Sequence, residues 1–311
     1  MNDSNIDTSL TEAGWRTKPG PRVFSGHESF ACRYGWLPKL YNALVDDPEL
    51  FASDEQAILQ LGLGRNMIKS IRFWGEVFGL TRTSGRKVHV TDFARNLLDT
   101  RTGIDPYLET PGSLWRLHWM LTVHGGLGAW SVAFLETYDR EITRERFISA
   151  VRTRASQVRG RITSATASNH VDILLRTYAG SQYSESSPEE TLGSPFQELE
   201  LMRLIVPAGI STVRFSRGPK HNLDIKALAF VLHDFWQGTA VGSLSLSLRS
   251  LMLSHAAPGS VLMLDEPGLH ERLSELCSAS SGLVMRSDGA GGFDLTSDSD
   301  PLHELKEIAW S

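Results

Sequence analysis

LGLGRNMIKSIRFWGEVFGLTRTSGRKVHV, residues 61–90 of a 311-residue chain, reads as one supersecondary unit. Gly62-Leu63-Gly64 forces a tight turn between a short helix at 54–61, capped by Ser53 or Asp54, and a second helix at about 65–78. Met67, Ile68, Ile71, Trp74 and Phe78 recur at helical spacing and turn one face of the second helix inward. Arg65, Asn66, Lys69 and Arg72 are left on its other faces. Thr81-Arg82-Thr83 then alternates, Ser84-Gly85 turns, and Lys87-Val88-His89-Val90 returns as a strand into a helix at 91–98. Helix, turn, helix and β-ribbon in that order predict a winged helix whose second helix can lie in a DNA groove. Residues 61–101 hold eight Lys or Arg against three Asp or Glu, whereas the whole chain holds 31 against 36, a net charge of −5. An acidic protein therefore concentrates positive charge on one module, as local binding of a polyanion requires.

On the N-terminal side, Tyr34, Leu37, Leu40, Tyr41 and Leu44 mark an amphipathic helix that closes near Asp46-Asp47-Pro48. Residues 1–21 are polar and aperiodic and form a flexible lead-in. On the other side, Trp115, His118, Trp119, Trp130 and Phe134 predict two packed core helices joined at Gly125-Gly126-Leu127-Gly128, completing a domain at 22–138. A second helix-turn-helix follows in a domain at 139–260. Thr143 caps a helix at 144–157, Val158-Arg159-Gly160-Arg161 turns, and 164–178 is amphipathic through Val171, Leu174, Leu175 and Tyr178. Seven Arg and two Glu between 140 and 161 favour phosphate there too. Further expectations are a surface loop at 180–194, a short helix at 196–204, and a second ribbon pairing 213–216 with 220–223, bearing Arg214, Arg217 and Lys220. Helices follow at 224–236 and 244–253. The remainder, 261–311, carries a helix at 265–276 and a hairpin at 282–295 turned at 288–292. The fold class is mainly α with short β-ribbons, as tandem winged-helix modules around a helical core; one theme recurs, without a fixed period.

Composition, with 41% hydrophobic and 22% charged residues, is that of a soluble globular protein. Cys32 and Cys277 match neither a disulfide scaffold nor a zinc site, which fits a reducing cytoplasm. The apolar runs are interrupted, and the first residues form neither an export signal nor a membrane span. Gly62 to Ser70 imitates a phosphate loop, but Ile68 stands where the loop needs glycine. Val261-Leu-Met-Leu-Asp265-Glu266 imitates the metal-holding strand of an ATPase, yet no phosphate loop accompanies it. Hydrolase signatures such as Gly-x-Ser-x-Gly and His-Glu-x-x-His are absent.

Candidate chemistry is confined to Phe24-Ser25-Gly26-His27-Glu28-Ser29-Phe30 and the following Arg33. A His beside a carboxylate suits phosphodiester hydrolysis, in which a divalent ion and a base activate water. The simpler reading is that His27 and Glu28 only cap and staple the next helix. His118 and His124 read as satisfied core groups, and Asp105-Pro106-Tyr107 as a helix cap.

The runs FSGHESF (24–30), RYGWL (33–37), LGLGRNMIKSIRFW (61–74), DPYL (105–108) and LWRLHW (114–119) resemble the SspB-like family of bacterial DNA-nicking proteins, the likeness extending over residues 22–300. That resemblance implies a DNA nicking endonuclease that opens one strand for single-strand DNA phosphorothioation in an anti-phage system. It implies double-stranded DNA as substrate, and a cysteine desulfurase, an ATPase and a sulfurtransferase-like protein as companions. It supplies no catalytic motif. Chemistry and position assign His27 as base, Glu28 as the ligand of Mg²⁺ or another divalent cation, and Arg33 as the group neutralising the phosphate. The DNA-binding set is Arg65, Asn66, Lys69, Arg72, Arg86, Lys87, Arg159 and Arg161. The chain is expected in the cytoplasm, away from membranes, and a homodimer is compatible with it. The alternative is a non-catalytic winged-helix DNA-binding adaptor or transcriptional regulator; a third reading is a protein-interaction scaffold.

Overall fold

The computed structural model of the protein describes residues 23–158, 160–179, 193–289 and 292–311. The expected lead-in at 1–21, Arg159, most of the 180–194 loop and the middle of the 288–292 turn lie outside the described residues. The chain is mainly helical, 56% helix, with small antiparallel sheets.

The first unit follows the periodicity of its sequence. α1 (Trp36–Asp46) buries Leu37, Leu40, Tyr41 and Leu44. Ser53 caps α2 (Asp54–Leu61), its hydroxyl accepting the Gln56 N–H at 3.4 Å. α2 ends at Gly62, whose φ of 61° lies in the left-handed region that glycine enters without steric cost. α3 (Arg65–Val77) buries Ile68, Ile71, Trp74 and Val77. The hairpin of β1 (Thr81–Ser84) and β2 (Lys87–Val90) leads into α4 (Asp92–Leu98), capped by Thr91. Val88 N–H donates to the Pro48 carbonyl at 2.8 Å, adding one rung from the chain that precedes α2.

The centre is built on α5 (Pro111–Trp119), which continues as a π-helical turn at Met120–His124, and on α6 (Gly128–Ser131), which continues as another at Val132–Glu136. Trp115, Trp119, Trp130 and Phe134 are buried there, as the spacing predicts. A Cβ on Gly128 would stand 2.0 Å from the Phe24 ring, so the glycine is what allows the 23–30 segment to lie against α6. His118 bonds at both ring nitrogens. Nε2 lies 2.9 Å from the Val261 carbonyl, which can only accept, so Nε2 carries the proton; Nδ1 then accepts from the Tyr178 hydroxyl at 2.7 Å. Trp130 Nε1 donates to the same hydroxyl at 3.2 Å. Tyr178→Phe leaves a buried indole N–H and an imidazole nitrogen without partners, so we expect a loss of about 2–4 kcal/mol of stability in urea melts. A loss below about 0.5 kcal/mol would show that this network does not matter to stability.

The second unit contains β3 (Glu141–Thr143), α7 (Arg144–Val158), α8 (Ser164–Tyr178), β4 (Met202–Ile205) and β5 (Thr212–Phe215), with sheet order β3-β5-β4. The third contains α9 (Ile225–Thr239), β6 (Ser245–Ser247), α10 (Leu248–Leu253), α11 (Pro258–Val261), α12 (Glu266–Ala279), β7 (Leu283–Ser287) and β8 (Phe293–Ser297), with order β6-β8-β7. Both place a leading strand beside the second strand of a later hairpin, with helices between. α13 (Pro301–Trp310) closes the chain against α9, where the Trp310 and Phe230 rings meet edge to face at 5.7 Å.

Three local expectations are corrected. The 213–216 strand pairs with 202–205 and with β3, not with 220–223. Pro219 has no N–H to give a ladder, and Lys220 is buried with its ammonium on the Ser216 carbonyl. The expected helix at 196–204 is a 3-10 turn at Pro195–Leu199 followed by β4. The expected helix at 244–253 begins as β6, and Ser247 caps α10 by accepting the Ser250 N–H at 3.1 Å.

Candidate nucleic-acid interface

α3 divides its residues as a surface helix must. Ile68, Ile71 and Trp74 lock one side into the core, while Arg65, Asn66 and Lys69 are exposed on the other. Arg72 is half-buried, its guanidinium 5.4 Å from the Phe51 ring centre, so part of its cationic surface is held by packing. Arg86 is exposed at the β1–β2 turn. Lys87, also exposed, lies 3.5 Å from the Glu49 carboxylate, an exposed pairing that water weakens. Arg161 is exposed at the start of α8 in the second unit.

The residues proposed for chemistry are placed differently. His27 is buried and bonds at both ring nitrogens. Its Nδ1 accepts the Ser29 N–H at 3.2 Å, so the proton resides on Nε2, which donates to His170 Nδ1 at 3.2 Å. The two rings stack 5.4 Å apart. Burial, with a smaller contribution from Arg176, lowers the His27 pKa to about 4, and burial beside His27 lowers that of His170 to about 3. The His27 carbonyl also accepts the Ser70 hydroxyl of α3 at 3.0 Å. Asn169 and Arg176 of α8 bond to Ser29. In this structure neither ring nitrogen of His27 is open to a water, and the residue joins α3 of the first unit to α8 of the second.

Glu28 is exposed at φ 47°. Arg33 is half-buried over the Phe30 and Trp36 rings at 5.5 and 5.7 Å. Asp105 supports the start of α5, its carboxylate accepting from Glu109 N–H and from the Thr110 N–H and hydroxyl. His124 pairs with Asp234 at 2.8 Å. Among the described residues no group of three or more His, Cys, Asp or Glu could hold a metal ion. The ring partner His170 lies 143 residues away in the sequence, beyond any local motif; the available signal was His170 on the apolar stripe with Ala167, Val171 and Leu174.

Charge separates the units. Residues 261–311 carry ten Asp or Glu and three Lys or Arg, the inverse of 61–101. On α12 the side chains of Glu266, Glu271 and Glu275 are exposed, and Glu271 and Glu275 both bind the Arg272 guanidinium, at 2.8 and 2.7 Å. Asp265, in the ATPase lookalike, caps α12 by accepting the Gly268 N–H at 2.9 Å. Among the described residues no helix is long and apolar enough to cross a membrane.

The profile of DUF4007, a family described as proteins of unknown function, matches residues 24–309. Two solved structures are similar over 92% of this chain and 86% of theirs, each at 30% identity. One is a crystal structure of SspB with magnesium ion bound, at a TM-score of 0.83; the other is a crystal structure of SspB, at 0.82. No curated protein matches the chain.

Proposed function

From the premise that the chain belongs to the DUF4007 family and shares the fold of SspB, we propose that it is a DNA-binding protein of a bacterial phosphorothioation system and nicks one strand of the duplex. The reading rests on one observation: α3 has its apolar side fixed in the core and presents Arg65, Asn66 and Lys69 to solvent beside the basic β1–β2 turn. A helix held this way can enter a groove without losing its packing, and the cations beside it meet phosphates. On this reading each of the three units is a winged helix, the strand orders β3-β5-β4 and β6-β8-β7 being the pairing such a module uses. The likeness to SspB supports placing the chain with a cysteine desulfurase, an ATPase and a sulfurtransferase-like protein, in the cytoplasm.

Nicking is hydrolysis: a water oxygen bonds to phosphorus and releases a proton, the P–O bond to one sugar breaks, and the departing alkoxide takes up a proton, so the water is divided between the two ends. Glu28 and Arg33 are the groups we assign to it, with Arg33 neutralising the phosphate. Glu28 is the residue that would hold Mg²⁺ or another divalent cation, which when bound would stabilise charge on the phosphate. The internal use of His27 favours a second reading, in which the protein is a non-catalytic adaptor that holds DNA for a partner's chemistry.

Supercoiled plasmid separates the two. We expect open circles with Mg²⁺ and far fewer in EDTA, with a rate drop of at least about a hundredfold in Glu28→Ala or Arg33→Ala, which also rules out a contaminating nuclease. Wild-type rates in both variants remove this site. DNA that is bound yet stays covalently closed under every divalent ion establishes the adaptor.

A further inference from the structure

The hairpin tips of the three units differ in chemistry. The β1–β2 tip is Ser84-Gly85-Arg86-Lys87, polar and basic, and the β7–β8 tip carries Asp288. The β4–β5 tip reads Val206-Pro207-Ala208-Gly209-Ile210, and all five residues are exposed, Val206 at 60% and Ile210 at 52%. A single exposed aliphatic residue needs no explanation, but five consecutive exposed residues without a polar side chain, two of them large and aliphatic, do.

The turn is also stiff. Residues 207–210 form a left-handed turn closed by the Ile210 N–H on the Pro207 carbonyl at 3.0 Å, with Ala208 at φ 50° and Gly209 at φ 80°. The Thr212 hydroxyl donates to the Ile210 carbonyl at 3.2 Å. An apolar tip held in one shape loses little conformational entropy when it inserts into a partner.

The surroundings indicate the partner. On the outer face of the sheet Arg203 stands opposite Arg214, and Arg214 opposite Glu141. Arg203 and Arg214 pair with Glu200 and Glu141 at 3.7 and 2.8 Å in exposed bridges, which water and salt weaken and which phosphates can replace. Arg140, Arg146, Arg152 and Arg161 of the same unit are exposed, and residues 140–161 hold seven Arg against two Glu.

We propose that this tip is a wedge: Val206 and Ile210 enter a base-pair step of duplex DNA from the minor groove, unstack it and kink the helix, while the arginines of the unit hold the flanking phosphates. Aliphatic side chains and proline are the residue types that perform such insertion, and the wrapped contact offsets the unstacking. The wedge rests on the DNA reading above and adds to it a second point of attachment that distorts the duplex. α8, which follows the turn between helices in this unit, has its Asn169 and Arg176 engaged on Ser29, so the tip, more than the helix, is what the unit offers to DNA.

Permanganate oxidises thymines only where they are unstacked, and so reports a wedge wherever it binds on a thymine-rich duplex. In EDTA, which keeps the strands intact, wild-type protein is expected to raise thymine reactivity severalfold. Val206→Ser/Ile210→Ser returns reactivity to that of free DNA and weakens binding by about tenfold in fluorescence anisotropy. Val206→Leu/Ile210→Leu keeps both signals. These positions are exposed, so thermal melts should coincide for all three proteins. Wild-type binding without added reactivity overturns the wedge alone, as does a serine variant that keeps both reactivity and affinity, which would assign the tip to a protein partner. Wild-type protein that binds no duplex overturns the DNA reading and the wedge with it.

Discussion

Arg65→Ala/Lys69→Ala lowers affinity for duplex DNA by about tenfold to a hundredfold at low salt, and flattens the plot of log affinity against log salt by about 0.9 for each phosphate left without its cation. The attraction is electrostatic. Both side chains are exposed on α3, and in the surrounding 61–101 segment eight cations outnumber three acids, so their pairing with phosphates releases counterions. Asn66 on the same exposed side acts differently: a neutral amide adds nothing to the salt slope, so Asn66→Ala changes discrimination among sequences and leaves the slope alone. Arg286→Ala is the control, since that arginine belongs to the acidic third unit and pairs with Asp298 at 2.8 Å. Anisotropy titrations across a salt series decide the matter. If the double variant matches wild type in affinity and slope, α3 does not hold DNA.

What sequence alone could read was whatever a few neighbouring residues determine. The inward face of α3 follows from apolar residues three and four apart, Gly62 from a turn that only glycine enters easily, and the caps Ser53 and Thr143 from side chains that satisfy free N–H groups within three residues. What it missed depends on distant partners. β3, β4 and β6 are three or four residues long, too short to show an alternation, and each is a strand only because β5 or β8 lies beside it. The recurrence of one topology was therefore visible as a weak theme, and the strand orders that define it were not. His27 shows the same limit at the candidate site. Next to Glu28 it looks like half of a catalytic pair, but Glu28 is exposed while His27 turns inward to His170, 143 residues away.

Acid should unfold this protein early, and buried histidines are the reason. Burial lowers His118 to about 4, burial and Arg176 lower His27 to about 4, and burial and His27 lower His170 to about 3. Each is neutral in the folded chain and returns to an ordinary value near 6.5 once unfolded. Between those limits the unfolded state binds protons that the folded state refuses. Their contribution to stability is therefore complete above about pH 6.5 and is lost as pH falls toward the folded values. At pH 5 the loss is roughly 2 kcal/mol for each histidine, about 6 kcal/mol for the three, comparable with the whole stability of many domains. Exposed carboxylates contribute mainly below that window, which isolates the histidines. Urea melts between pH 7.5 and 5 should show the midpoint falling steeply, and calorimetry in buffers of different ionisation enthalpy should show about two to three more protons taken up on unfolding at pH 5 than at pH 7.5. A midpoint that stays level over that interval would mean that these imidazoles reach water or a carboxylate in the folded protein, and the clasp between α3 and α8 through His27 and His170 would have to be abandoned.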